Sequence, residues 1–111
     1  MQEVLSELNK TSGITGSMVV GHDGIVIASD LSSQFDNDTI GALASSISST
    51  VSKSLERMNR SPLSQLTIEA EHGKLFISSA PVGYLIVTTE DRVNMGLVRL
   101  EMRNAVSQLT I

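Results

Sequence analysis

The sequence predicts an α/β fold of the α+β kind. It is a five-stranded antiparallel sheet built in the order α-β-β-α-β-β-β-α, with the middle helix on one face and the terminal helices on the other. Three observations carry this expectation. Asp23-Gly24 makes a corner between two short apolar runs, Ser-Met-Val-Val before it and Ile-Val-Ile-Ala after it. Residues 38–60 repeat apolar side chains at helical spacing. Residues 63–89 hold three strand-like runs separated by His72-Gly73 and by Pro81-Val82-Gly83.

The elements follow in order. Residues 1–11 place Met1, Val4, Leu5 and Leu8 on one helical face, and Gly13 after Thr11-Ser12 suits a left-handed cap. Strands are expected at 15–21 and 24–29, joined by a two-residue turn with positive φ at Asp23 and Gly24. In the second strand Ile25 and Ile27 share one face and Val26 and Ala28 the other, so both faces should be covered. Leu31-Ser-Ser-Gln-Phe-Asp36 reads as a loop, with Asp36 or Asn37 capping a helix over 38–60 that stops before Pro62. Strands are then expected at 63–71, 74–80 and 84–89, the last, with Tyr-Leu-Ile-Val, being central. Thr89 or Asp91 should cap a final helix over 92–109. Its stripe Met95, Val98, Met102, Ala105, Val106 and Leu109 should face the sheet, and Val93, Leu97 and Leu100 should receive Val4 and Leu8 of the first helix.

Length and composition limit the functions open to this chain. At 111 residues it reads as a single domain over 1–111. Net charge is −4 and no basic run interleaves with aromatics, which argues against nucleic acid as a partner. The absence of cysteine removes disulfides, thiol chemistry and thiolate-bound zinc. The first ten residues lack a signal-peptide pattern, and no run approaches the ~20 apolar residues that insert into a bilayer, so a cytoplasmic location is expected.

The middle helix is the unusual element. Projected at ~100° per residue, Ile40, Leu43, Ala44, Ile47, Val51, Leu55 and Met58 form a stripe expected to pack on the sheet. The opposite face carries Ala42, Ser45, Ser46, Ser49 and Ser52, then Lys53, Glu56 and Arg57. Serine in a helix costs about a few tenths of a kcal/mol relative to alanine or glutamate. Small side chains there point to close approach of another helix, with a tolerated solvent-exposed face as the alternative. The strand after it presents Gln65, Thr67, Glu69 and Glu71 on its non-core side. At a sheet edge it would either pair with a second copy or use its charges to discourage stray pairing.

No catalytic, cofactor or metal site emerges. His22 and His72 sit beside glycine-containing corners without other ligands, and Asp23, Asp30, Asp36 and Asp38 fall in turns and caps. No serine lies in a nucleophile elbow, and Gly13-Ile-Thr-Gly16 lacks the lysine of a phosphate loop. Arg92, Arg99 and Arg103 read as a solvated face of the last helix, with anion binding or a pair with Glu101 as alternatives.

Several segments together resemble one family. These are Leu5-x-x-Leu8, Gly13-Ile-x-Gly-Ser-Met-Val-Val-x-x-Asp-Gly-Ile-Val-Ile-Ala-Ser29, Ile40-Gly-Ala-Leu-Ala44, Ile68-Glu-x-Glu-x-Gly-Lys-Leu75, Tyr84-Leu-Ile-Val87 and Asn94-Met-Gly-Leu-Val-Arg99. In that order they look like the Roadblock family of dynein light chains and prokaryotic GTPase partners. The resemblance implies a non-enzymatic homodimer, middle helices side by side and third strands joined into one sheet. It also implies binding to a Ras-like small GTPase, as a regulator or scaffold. Bacterial members of the motility-polarity type activate their GTPase without lending a catalytic residue. The serine-rich outer face departs from the alanine-rich version common in the family, and Ile111 follows the last helix without the extension some regulators carry. Both departures favour GTPase binding over activation. The competing classes are a profilin-like or PAS-like small-molecule sensor, for which one Tyr, two Phe and no Trp offer little lining, and a small hydrolase.

Overall fold

A computed structural model describes residues 1–32 and 35–109. The expected loop residues Ser33 and Gln34 and the terminal Thr110 and Ile111 lie outside them. The elements are α1 (Gln2–Leu8), β1 (Ile14–Val20), β2 (Val26–Asp30), α2 (Asn37–Arg57), β3 (Gln65–Ala70), β4 (Gly73–Ala80), β5 (Gly83–Thr89) and α3 (Met95–Gln108). This is the predicted order and the predicted α+β class. The sheet runs β2-β1-β5-β4-β3 with every neighbour antiparallel. The fully buried β5 is its middle strand, and β3 and β2 are its edges.

Two apolar clusters sandwich the sheet. On one face Leu5 and Leu8 of α1 and Val98, Met102 and Ala105 of α3 pack on Val19, Phe76, Leu85 and Val87. On the other Ala44 of α2 meets Met18, Val20, Ile77, Tyr84 and Ile86. Polar ties fix α1 to the sheet. Ser17 Oγ donates to Asn9 Oδ1 at 2.7 Å, and Asn9 Nδ2 donates to the Asp30 carbonyl at 2.8 Å.

Several local expectations are corrected. The β1–β2 turn is not the two-residue form. Gly24 N–H closes on the Gly21 carbonyl at 3.0 Å, Gly21 N–H bonds the Ile25 carbonyl, and among the two corner residues Gly24 has the positive φ, +85°. That is a three-residue loop with a left-handed glycine, and Asp23 contributes instead by accepting from Ile25 N–H. A bulge between Val19 and Val20 then breaks the alternation of β2. Val26 joins the α2-side cluster and Ala28 the other, while Ile25 and Ile27 stay exposed on this edge strand. The cap of α3 is Asn94, whose Oδ1 accepts from Leu97 N–H, and not Thr89 or Asp91. Leu97 and Leu100 are exposed, since α1 lies against the Glu101–Ala105 side of α3.

Asp36 caps α2 as expected, accepting from Asp38 N–H. At the other end Asn59 adopts φ 58°, and Asn59 and Arg60 N–H bond the carbonyls of Glu56 and Leu55. This Schellman-type closure ends the helix ahead of Pro62.

The main correction concerns which side of α2 meets the sheet. Buried along it are Gly41, Ala44 and Ser48, not the whole aliphatic stripe. Leu43 is 55% exposed and Met58 64%. The cause is close packing on the β1–β2 hairpin. A Cβ at Gly41 would lie 3.0 Å from Val20 Cγ1 and 3.2 Å from the Gly24 carbonyl oxygen, and one at Gly24 would lie 3.3 Å from Ser45 Cβ. Ser45 Oγ donates to the His22 carbonyl at 3.0 Å, adding a polar tie to the same contact. Gly41→Val should therefore lower stability by about 2–3 kcal/mol in urea unfolding, and Ala42→Val, one residue round the helix, by under about 1 kcal/mol. Equal losses would contradict the close contact.

Candidate interaction surface

The rotation of α2 toward β1 and β2 has a consequence for the rest of that sheet face. The helix covers the β1–β2 half. On the β3–β4 half, Leu66 and Leu75 touch the α2-side cluster from positions that remain partly open. Leu43 points outward beside half-buried Ile40 and Ile47. Between the start of α2 and the β3–β4 hairpin runs an open groove of about 650 Å³, lined by Phe35, Ile40, Ile68, Leu75 and Thr88. Each aliphatic side chain left in water forgoes roughly 1.5–3 kcal/mol of burial. A helix flank and a sheet face sharing this groove thus form one apolar surface.

The edge strand adjoins it. β3 pairs on one side only, through all six residues from Gln65↔Ser78 to Ala70↔Gly73. Its other side presents alternate backbone N–H and C=O groups without a strand partner among the described residues. Leu66 and Ile68 face the α2 side, and Gln65, Thr67 and Glu69 face α3, where Arg99 donates to Thr67 Oγ1 at 3.2 Å.

The residues singled out in the sequence divide accordingly. Ala42, Ser46, Ser49, Lys53, Glu56 and Arg57 are exposed on α2, away from the apolar flank. Ser45 and Ser52 are half-buried, and Ser45 is engaged by the chain's own hairpin. Gln65, Thr67 and Glu69 lie together on the edge strand. Leu43 and Ile47, which helical projection puts in the core, instead border the surface. Only the signal of Gly41 and the serines as a close-packing face, read toward the chain's own sheet, would have located them.

Histidines and carboxylates do not gather into a site among the described residues. His22 and His72 are exposed in the β1–β2 and β3–β4 turns, His22 edge-on to Tyr84 at 5.1 Å. Among the described residues no three histidine or acidic groups cluster to hold a metal. No helix is long and apolar enough to cross a membrane among those residues. Glu101 is half-buried beside Val4 and Glu7, on the side of α3 away from Arg99.

Within the α2–sheet contact one hydroxyl is unsatisfied. Ser48 Oγ is fully buried and has no hydrogen-bond partner among the described residues. Removing a buried unpaired hydroxyl and gaining helix propensity should make Ser48→Ala more stable by about 0.5–1 kcal/mol in chemical denaturation. A loss of stability would show that the hydroxyl is bonded.

The comparisons agree with this architecture. The Roadblock/LC7 domain model matches residues 1–90. An uncharacterized protein of Methanocaldococcus jannaschii is 43% identical over 109 residues, spanning 98% of this chain and 96% of its own length. A Roadblock/LC7 domain from Streptomyces avermitilis superposes with a TM-score of 0.90 at 21% identity, over 97% of this chain and 92% of that one. Myxococcus xanthus MglB gives 0.91 at 21% identity, over 98% and 90%. An MglB structure with a tetrameric arrangement gives 0.86 at 18% identity, over 96% and 82%. The fold, the matched domain and the level of identity together place this chain in the Roadblock/LC7 family.

Proposed function

We propose that this chain is a non-enzymatic homodimeric module that binds a Ras-like small GTPase and regulates or scaffolds it. The observation that carries the reading is the apolar flank of α2, Leu43 and Ile47, beside the unpaired edge of β3. Ile40, at the start of that flank, lines one groove with Ile68 of β3, so a second copy related by a twofold axis meets flank and edge together. The 21-residue α2 is roughly 30 Å long and the six-residue β3 roughly 20 Å. A seam of those dimensions suits the ~1,200–2,000 Å² that a stable interface buries. Joined β3 strands would satisfy the edge groups, and paired α2 helices would cover the apolar flank.

This placement revises the expected seam. The helix pairs through its aliphatic side, which leaves Ala42, Ser46, Ser49, Lys53, Glu56 and Arg57 as an exposed face on the paired helices. That face is the proposed GTPase contact. Its support is the resemblance to prokaryotic GTPase partners and the fold shared with MglB. Activation without a donated catalytic residue is the finer form of the same reading.

A second reading is favoured by one observation. The apolar groove at Phe35 and Leu75 has a volume within the range of small-molecule pockets. A ligand-induced rise in melting temperature that survives dimer disruption would favour a sensor role.

In sedimentation the protein should behave as a dimer, and Leu43→Asp should weaken it by on the order of 30-fold while leaving the circular-dichroism spectrum unchanged. A Leu43→Asp protein that dimerises like the parent would misplace the seam. The dimer should also bind a Ras-like GTPase of the same genome, tighter in its GTP-analogue form than with GDP if it reads the switch state. Equal affinity would reduce the role to tethering, and no binding to either form would contradict the GTPase reading.

A further inference from the structure

The other side of β3 carries charge that the paired helices do not use. Between β3, β4 and α3 lies a depression of about 450 Å³ lined by Gln65, Ser78, Arg99, Arg103 and Val106. The Arg99 guanidinium carbon sits 5.8 Å from the Phe76 ring centroid, and its nitrogen donates to Thr67 Oγ1. Arg103, one helical turn on, lines the groove with Gln65. Arg99 is thus level with Thr67, and Arg103 shares the groove with Gln65. Among the described residues no carboxylate lines this groove and neither arginine forms an ion pair. Two guanidinium groups converging on one depression, in a chain of net charge −4, mark a place for an anion beside an open strand edge.

We propose that this groove receives Glu69 of a second copy, and that the resulting ion pairs set the register of the joined β3 strands. The proposal rests on the homodimer reading. Glu69 is exposed and has within its own chain a 4.0 Å contact to Lys74, whose ammonium also donates to the Asp91 carbonyl. Gln65, Thr67 and Glu69 share one face of β3. A twofold axis normal to the sheet keeps like faces together, so each residue meets one of the same face. With the axis at Thr67, Glu69 of the second copy stands opposite Gln65, beside Arg103. With the axis at Ile68, it stands opposite Thr67, to which Arg99 already donates. Directly opposed Cβ atoms are about 5 Å apart, within reach of a glutamate and an arginine. With the axis at Glu69 the two carboxylates would oppose each other and repel. Symmetry places two such ion pairs in the dimer.

The test is a charge-swap cycle on the full chain, read as the dimer dissociation constant in sedimentation. Glu69→Arg, Arg103→Glu and Arg99→Glu should each weaken dimerisation by on the order of tenfold. One of the double variants, E69R/R103E or E69R/R99E, should recover most of that loss, and its identity names the register. Doubles no tighter than the product of the two single effects would overturn the proposal. The same cycle in a Leu43→Asp background, read by thermal unfolding, should show no coupling. Coupling there would place the pair within one chain and overturn the proposal too. A parent protein that is monomeric at all concentrations would instead fail the homodimer reading itself.

Discussion

The close approach of α2 to the β1–β2 hairpin organises this molecule. Gly41 and Ala44 bring the helix against Val20 and Val26, and Ser45 ties it to the His22 carbonyl. A helix that pressed its larger aliphatic side chains on the sheet would stand further off and sit more centrally. Here the small side docks on one half of the sheet face, and the aliphatic flank turns toward the other half. One packing choice therefore yields a tight intramolecular contact and an uncovered apolar surface. Ser48, buried without a hydrogen-bond partner among the described residues, shows the cost of docking a helix on its polar small residues.

The sheet order sets that surface near an edge strand. β5 in the middle and β1 and β4 beside it are held on both sides, which leaves β2 and β3 as edges. β2 is guarded: a bulge twists it, and α1 reaches it through Gln2 and Asn9, which donate to the carbonyls of Ser29 and Asp30. β3 has regular pairing to β4 and an open outer side, with apolar residues toward α2 and polar ones toward α3. A second copy meeting this edge finds aliphatic side chains on one face and arginines on the other. The interior faces of the sheet thus hold the fold, while an edge, a helix flank and a helix face stay exposed.

Much of this was legible in the residues. Element order, the sheet's antiparallel character, the central β5 and the Asp36 cap follow from periodicity and turn chemistry, which act locally. The exposed flank of α2 was less legible, for a physical reason. Projection of residues 38–60 finds an apolar stripe but treats its whole width as core, whereas the helix meets its sheet along the line where Gly41, Ala44 and Ser48 permit the closest contact. Projection therefore puts Leu43 inward and Ser45 outward, the reverse of what close packing produces. The same limit applied to Leu97 and Leu100, whose exposure depends on where α1 settles, a tertiary outcome no local pattern encodes. The register shift between Val19 and Val20, which leaves Ile27 without a partner across β1, is likewise a matter of strand pairing, invisible in a continuous apolar run.

On the proposed dimer, the outer side of β3 is a pairing edge for a second copy. The most direct measurement is amide hydrogen exchange along β3 as a function of protein concentration. The N–H groups that point away from β4 should exchange slowly at concentrations that populate a dimer and speed up on dilution, while those bonded to β4 stay protected throughout. Outward amides that exchange freely at every concentration would contradict the account.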